Sequence, residues 1–98
     1  MEFLIEYRVK TDSAAAAKIL RETFLAALNQ IPGPEMLYSS LAKPDSVSFA
    51  HRGRFADQEA LTWFQSTDYF KAFSFALPGL CEEGPQATQL TEVLTTQG

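Results

Sequence analysis

Residues 2–10, EFLIEYRVK, alternate between apolar and charged side chains. Phe3, Ile5, Tyr7 and Val9 fall on one face, and Glu2, Glu6, Arg8 and Lys10 fall on the other with Leu4. A period of two over this length predicts a strand with one well-buried face. At TDSAAAAKIL the period changes. Thr11, Asp12 and Ser13 are each able to cap a helix, because a side-chain oxygen can accept one of its orphan amide hydrogens. The four alanines that follow favour helix strongly. Ala16, Ile19, Leu20, Phe24, Ala27 and Leu28 form a stripe at helical spacing, with Lys18, Arg21 and Glu22 expected outside it. This switch of period inside the first 30 residues limits the chain to folds that lay a helix on a sheet.

The rest of the chain repeats the theme. IPGP at 31–34 ends the helix, since proline cannot continue its hydrogen bonding and glycine permits the reversal. EMLYSSLA, 35–42, is a second strand with Leu37 and Leu41 on one face and Met36, Tyr38 and Ala42 on the other. KPDS is a turn, and VSFAHRGRF, 47–55, is a third strand. Val47, Phe49, His51, Gly53 and Phe55 share one of its faces, opposite Ser48, Ala50, Arg52 and Arg54. The short link predicts an antiparallel hairpin. Asp57 caps a helix running to about Ser66, and a second short helix from Asp68 must stop by Leu77, before Pro78 and Gly79. CEEGPQ reads as a loop, and ATQLTEVLTT, 87–96, as the last strand.

The predicted order is β-α-β-β-α-β, the ferredoxin-like split arrangement of the α+β class: a four-stranded antiparallel sheet with its helices on one face. At 98 residues the chain is expected to be a single domain. The other sheet face carries apolar residues with no third layer to cover them, so a homodimer is the economical cover. A net charge of −4 excludes the basic surface that nucleic-acid binding requires. Cys81 is the only cysteine, which leaves no internal disulfide and no cysteine-based metal cage, and fits a reducing compartment. The opening strand is neither a signal peptide nor a membrane span, so a cytoplasmic protein without membrane contact is expected.

The layout resembles the antibiotic biosynthesis monooxygenase family, the dimeric α+β barrels. The resemblance rests on the opening strand, on IPGP leading to a strand with LYSS, and on FADQEALTWFQSTDYFKAF. In that tract Phe55, Glu59, Ala60, Leu61, Trp63, Ser66 and Phe70 sit in the family's frame. The resemblance implies a homodimer, no cofactor, and oxygenation of a small aromatic or quinol-like molecule. Heme-opening relatives use an Asn on the first strand, a Trp on the second helix and a later His. Here Trp63 matches, but Tyr7 stands in place of the Asn and Ser74 about where the His would be, so heme degradation is not expected. Quinol-oxidising relatives often carry a His near the Trp63 position, which this chain lacks.

Several residues carry candidate chemistry. His51 is the only imidazole, and on an apolar strand face it is either a hydrogen-bonded core residue or a base beneath a pocket. Tyr7 and Tyr38 project from the first and second strands, where their hydroxyls either hold a substrate oxygen or, for at least one of them, find a partner simply because they are buried. Trp63 either packs, as a large ring on a helix more often does, or stacks on a flat substrate, while Phe64, Phe70 and Phe73 are assigned to core or pocket wall. Arg52 and Arg54 point away, toward solvent or a dimer partner. No metal site, phosphate loop or nucleophile elbow is legible. A non-catalytic binding or structural dimer, or an isomerase or decarboxylase, fits the same scaffold.

Overall fold

The structure, a computed structural model, describes residues 1–30 and 36–91. Its elements are β1 (Glu2–Val9), α1 (Ala14–Gln30), β2 (Met36–Ala42), β3 (Ser48–Phe55), α2 (Gln58–Gln65), α3 (Asp68–Ala76) and β4 (Cys81–Leu90). The expected turn IPGP and the segment 92–96 of the last expected strand lie outside the described residues. The four strands form one antiparallel sheet in the order β2–β3–β1–β4. Each half of the chain thus crosses over the neighbouring strand through helices, giving the expected ferredoxin-like topology.

Local chemistry explains most boundaries. The Asp57 carboxylate accepts from the Ala60 amide at 2.9 Å and starts α2. The Thr67 hydroxyl oxygen accepts from the Phe70 amide and starts α3. Pro78 and Gly79 end α3 by tightening it into a 3-10 turn over Leu77–Leu80. Between β2 and β3, Asp45 accepts from the amides of Val47 and Ser48 and from the Ser48 hydroxyl. That clamp holds a turn in which Ser46 has a φ of 65°.

The buried face of the sheet carries Phe3, Ile5, Tyr7 and Val9 of β1, with His51 and Phe55 of β3. Against it pack Ala17, Phe24 and Leu28 of α1, Ala60, Leu61 and Phe64 of α2, and Phe73 of α3. Phe24 and Phe73 stack at 4.5 Å, and Phe64 meets Phe70 at 4.8 Å. Most of the aromatic tract is therefore core. Phe75, two residues past Phe73, points the opposite way and is 89 % exposed.

Two sequence expectations are corrected. The α1 stripe is Ala17, Phe24 and Leu28, with Arg21 half-buried in the same row, whereas Ile19 is 65 % exposed. The residues 17, 21, 24 and 28 are spaced 4, 3 and 4 apart, which is one helix face, and a charged residue inside it shifted the apparent phase. The second correction concerns β4, which spans Cys81–Leu90 and absorbs CEEGPQ rather than beginning at residue 87. Proline and glycine mark loops in most contexts, but β4 is an edge strand, where a residue lacking an N–H costs no ladder bond on its outer side. The register shifts between Glu6 and Arg8, so that Gly84 and Pro85 together oppose Tyr7 as a bulge. Gly84 has a φ of 78°, and a Cβ there would lie 2.8 Å from the Glu6 carbonyl oxygen. Gly84→Ala is expected to cost about 1–3 kcal/mol, read as a lower urea midpoint with an unchanged m-value.

On the opposite sheet face no helix packs among the described residues. Leu37, Leu41 and Leu90 are 60 %, 54 % and 44 % exposed there. Beside them Glu2 accepts from Arg52 Nη2 at 2.7 Å and from Arg54 Nε at 3.2 Å. Arg52 and Arg54 thus point away from the helices, as their alternation requires.

Candidate functional site

β-strand alternation places four polar groups on the helix-facing side of the sheet. Tyr38 and Ser40 are two residues apart on β2, and Ser40 is directly opposite His51 of β3, which is directly opposite Ile5 of β1. Tyr7 follows two residues along β1. The imidazole of His51 collects them. The Tyr7 hydroxyl lies 2.8 Å and the Ser40 hydroxyl 3.2 Å from Nε2, and the Tyr38 hydroxyl lies 3.0 Å from Nδ1. Phe73 stacks on the ring at 5.3 Å and Phe24 at 6.5 Å, and His51 has no exposed surface.

Gly53 makes room beside this cluster. A Cβ there would lie 2.7 Å from the Phe55 ring and 3.1 Å from that of Tyr38. Arg21 of α1 closes another side, its Cζ 3.8 Å over the Phe49 ring. Phe49 in turn stacks on Tyr7 at 5.6 Å. One guanidinium nitrogen of Arg21, Nη1, is buried without a hydrogen-bond partner, as is the Tyr69 hydroxyl.

The electrostatics follow from burial. Loss of water, and secondarily the Arg21 cation, lowers the His51 pKa to about 4, so the imidazole is neutral at physiological pH. Burial pushes the Tyr7 phenol up to about 12, with Arg21 opposing only part of the rise. Burial also raises Tyr38 above the ordinary phenol value, reinforced by Tyr7. Both phenols therefore stay protonated. Of the two readings the sequence left open for His51, core residue or base beneath a pocket, a base works best near neutral pH, and desolvation holds the imidazole well below that.

A cleft of about 360 Å³ opens between the C-terminal half of α1 and β2, lined by Leu25, Leu28, Asn29, Met36, Leu37, Tyr38 and Ser40. It does not reach His51 itself. Two of the three hydroxyls bonded to the imidazole belong to residues of its wall. Trp63 is elsewhere. Phe64 takes the inward position on α2, and Trp63, one residue earlier and rotated by about 100°, lines a separate hollow with Ala56, Asp57, Glu59 and Ala60. The structure thus brings Tyr7, Tyr38 and His51 together and leaves Trp63 apart. Ser40 and Arg21 were missed. Ser40 shares a strand face with Tyr38, and Arg21 sits at the stripe spacing of Ala17 and Phe24, so each left a positional signal.

No family model matches the sequence, and no curated protein matches it. Solved structures do match. Rv0793 from Mycobacterium tuberculosis superposes with a TM-score of 0.83 at 12 % identity, over 98 % of this chain and 97 % of its own. A protein named as an antibiotic biosynthesis monooxygenase gives 0.82 at 13 % identity, over 95 % and 98 %. The fold is that of the antibiotic biosynthesis monooxygenases. SnoaB, a cofactor-independent oxygenase from Streptomyces nogalater, gives 0.70 at 17 % identity, over 97 % and 96 %. At these identities the likeness is one of fold. Among the described residues no cluster of His, Cys, Asp and Glu is arranged to hold a metal, and no helix is long and apolar enough to cross a membrane.

The buried imidazole has a measurable consequence. An unfolded histidine near 6.5 binds a proton that the folded one takes up only near 4. Stability from this group is complete above about pH 6.5 and is lost as pH falls toward 4, a change of about 3 kcal/mol. Urea unfolding at pH 7 and pH 4 should show that slope, and His51→Gln should flatten it. Asp45, held at about 2 by its turn hydrogen bonds, contributes only below this window.

Proposed function

We propose that the chain is a cofactor-independent monooxygenase of a small aromatic or quinol-like substrate, acting as a homodimer. The observation that carries this reading is the polar cluster: Tyr38 and Ser40 line an open cleft while hydrogen-bonding the buried His51. The shared fold with SnoaB, named as a cofactor-independent oxygenase, supports it.

In this reading a phenolic substrate enters the cleft and its hydroxyl meets that of Tyr38. The substrate proton passes to the Tyr38 oxygen as the Tyr38 proton passes to His51 Nδ1, which requires the tautomer protonated at Nε2. The resulting phenolate transfers one electron to dioxygen, giving an aryloxyl radical and superoxide, which sidesteps the spin restriction on direct reaction. The pair joins at a ring carbon bearing hydrogen to form a peroxide. Protonation of its outer oxygen, O–O cleavage and loss of that carbon's hydrogen as a proton release water and leave a quinone carbonyl. One dioxygen thus supplies one oxygen to the product and one to water. Apolar neighbours such as Leu25, Leu28 and Met36 keep water from the radical pair. Tyr7 and Ser40 hold the imidazole from its other side, and Trp63 has no part in this geometry.

A second reading rests on the complete burial of His51 with both nitrogens satisfied. That is also how a structural core histidine looks, and it favours a small-molecule-binding dimer without catalysis. Oxygen uptake separates the two. With hydroquinones and anthrone-like phenols the oxygenase consumes oxygen, and His51→Ala and Tyr38→Phe each slow it at least about tenfold. No uptake across the panel leaves the binder.

Dimerisation would cover the exposed Leu37, Leu41 and Leu90 with a second copy of the same sheet. Sedimentation velocity at micromolar concentration should show a dimer, and Leu41→Asp should shift it toward monomer.

A further inference from the structure

His51 has no exposed surface, and the cleft between α1 and β2 does not reach it. Two of its hydroxyl partners nevertheless belong to residues of the cleft wall, and they sit on different nitrogens. Tyr38 meets Nδ1 at 3.0 Å and Ser40 meets Nε2 at 3.2 Å. The two residues are alternate positions on one face of β2, about 7 Å apart along the strand. The imidazole therefore links two separate points of one cleft through its two nitrogens. Tyr7 also reaches Nε2, at 2.8 Å, but it is buried and is not part of that wall.

An imidazole between two hydroxyls can take a proton at one nitrogen while releasing another from the second. The ring then changes tautomer and carries no charge at any stage. Desolvation makes the imidazolium costly at this position, so a proton that arrives is better passed on than kept. Tyr7 gives no path back to a substrate in this cleft, and burial makes its phenol hold its own proton. Ser40 gives one.

We propose that Ser40 is the proton donor to the reduced dioxygen, fed by His51, so that the imidazole carries the substrate's own proton from the Tyr38 end of the cleft to the Ser40 end. This deepens the oxygenase reading and rests on it. The substrate O–H bond breaks and its proton goes to the Tyr38 oxygen, while the Tyr38 proton goes to Nδ1. The Nε2 proton passes to the Ser40 oxygen. The Ser40 proton goes to the superoxide formed when the phenolate gives one electron to dioxygen. Tyr38 and Ser40 each end with one proton, and His51 has moved from its Nε2–H to its Nδ1–H tautomer. The hydroperoxyl and aryloxyl radicals join as a hydroperoxide whose outer oxygen is already protonated. Its carbon then loses hydrogen as a proton, and the C–H electron pair forms the carbonyl. The O–O bond breaks, and the departing hydroxide takes up that proton as water. Exchange with solvent in the cleft restores the starting tautomer.

The test is coupling in the full chain: oxygen uptake with an anthrone-like phenol, then catalase, which returns oxygen from any peroxide released. Wild type should return none above the uncatalysed background. Ser40→Ala should take up oxygen at least about tenfold more slowly. It should also return part of that oxygen, because unprotonated superoxide escapes the radical pair and dismutates to peroxide. Ser40→Thr keeps the hydroxyl and should stay coupled, whereas Ser40→Val, of the same shape without it, should leak. Tyr7→Phe should slow uptake by loosening the ring yet stay coupled. If Ser40→Ala and Ser40→Val return no oxygen, at whatever rate of uptake, the proposal is overturned and Ser40 merely orients His51. A leak in Ser40→Thr equal to that in Ser40→Val overturns it too. So does a leak in Tyr7→Phe with Ser40→Ala coupled, which routes the proton through Tyr7. Each of these results leaves the oxygenase reading intact. Absence of uptake by wild type removes that reading and the relay together.

Discussion

An imidazole can be buried among aromatic rings only if both of its nitrogens find partners, and that requirement organises the centre of this fold. His51 sits on β3 with β1 on one side and β2 on the other. Each neighbour contributes hydroxyls: Tyr7 from β1, Tyr38 and Ser40 from β2. A register slip of one residue on either strand would turn those hydroxyls to the opposite face and leave the ring unsatisfied. The same contacts that complete the imidazole therefore pin the register of the three central-to-edge strands. They also bring a polar cluster to the wall of a cleft in a layer that is mostly hydrocarbon.

The two faces of the sheet answer to different demands. The helix side is filled by packed rings, Phe24 stacked on Phe73 and Phe64 tilted against Phe70, so the cluster is held in a rigid frame. The other side carries exposed leucines beside the Glu2–Arg52–Arg54 ion network. Exposed ion pairs of this kind contribute little to stability by themselves. Their place beside Leu37, Leu41 and Leu90 makes them determinants of orientation in any association of that face.

Legibility in the sequence tracked how local each cause was. Asp57 starts α2 by accepting the Ala60 amide three residues on, and Pro78 ends α3 through its missing N–H, so both were readable. The start of β4 was not. Whether Gly84 and Pro85 make a loop or an edge-strand bulge depends on what lies beside them, and β1 is more than 70 residues earlier. Trp63 and Phe64 are adjacent and similarly apolar, yet only one can face the sheet, and the packing of α2 chose Phe64. Arg21 looked like surface because charge suggests solvent, and only the assembled core reveals the ring of Phe49 beneath it.

Periodicity and punctuation determined the order of strands and helices and which residues of β1, β2 and β3 share a face, because each follows from side-chain spacing along a few neighbouring residues. From these alone came the ferredoxin-like arrangement and the placing of His51, Tyr7 and Tyr38 on helix-facing strands. Tertiary structure decided what those residues are to one another: which hydroxyl meets which nitrogen, how far burial lowers the imidazole, and which helix residue brings a positive charge. Those properties depend on distances of about 3 Å between groups far apart in the chain, and on the exclusion of water by a completed core. Spacing along a sequence encodes neither.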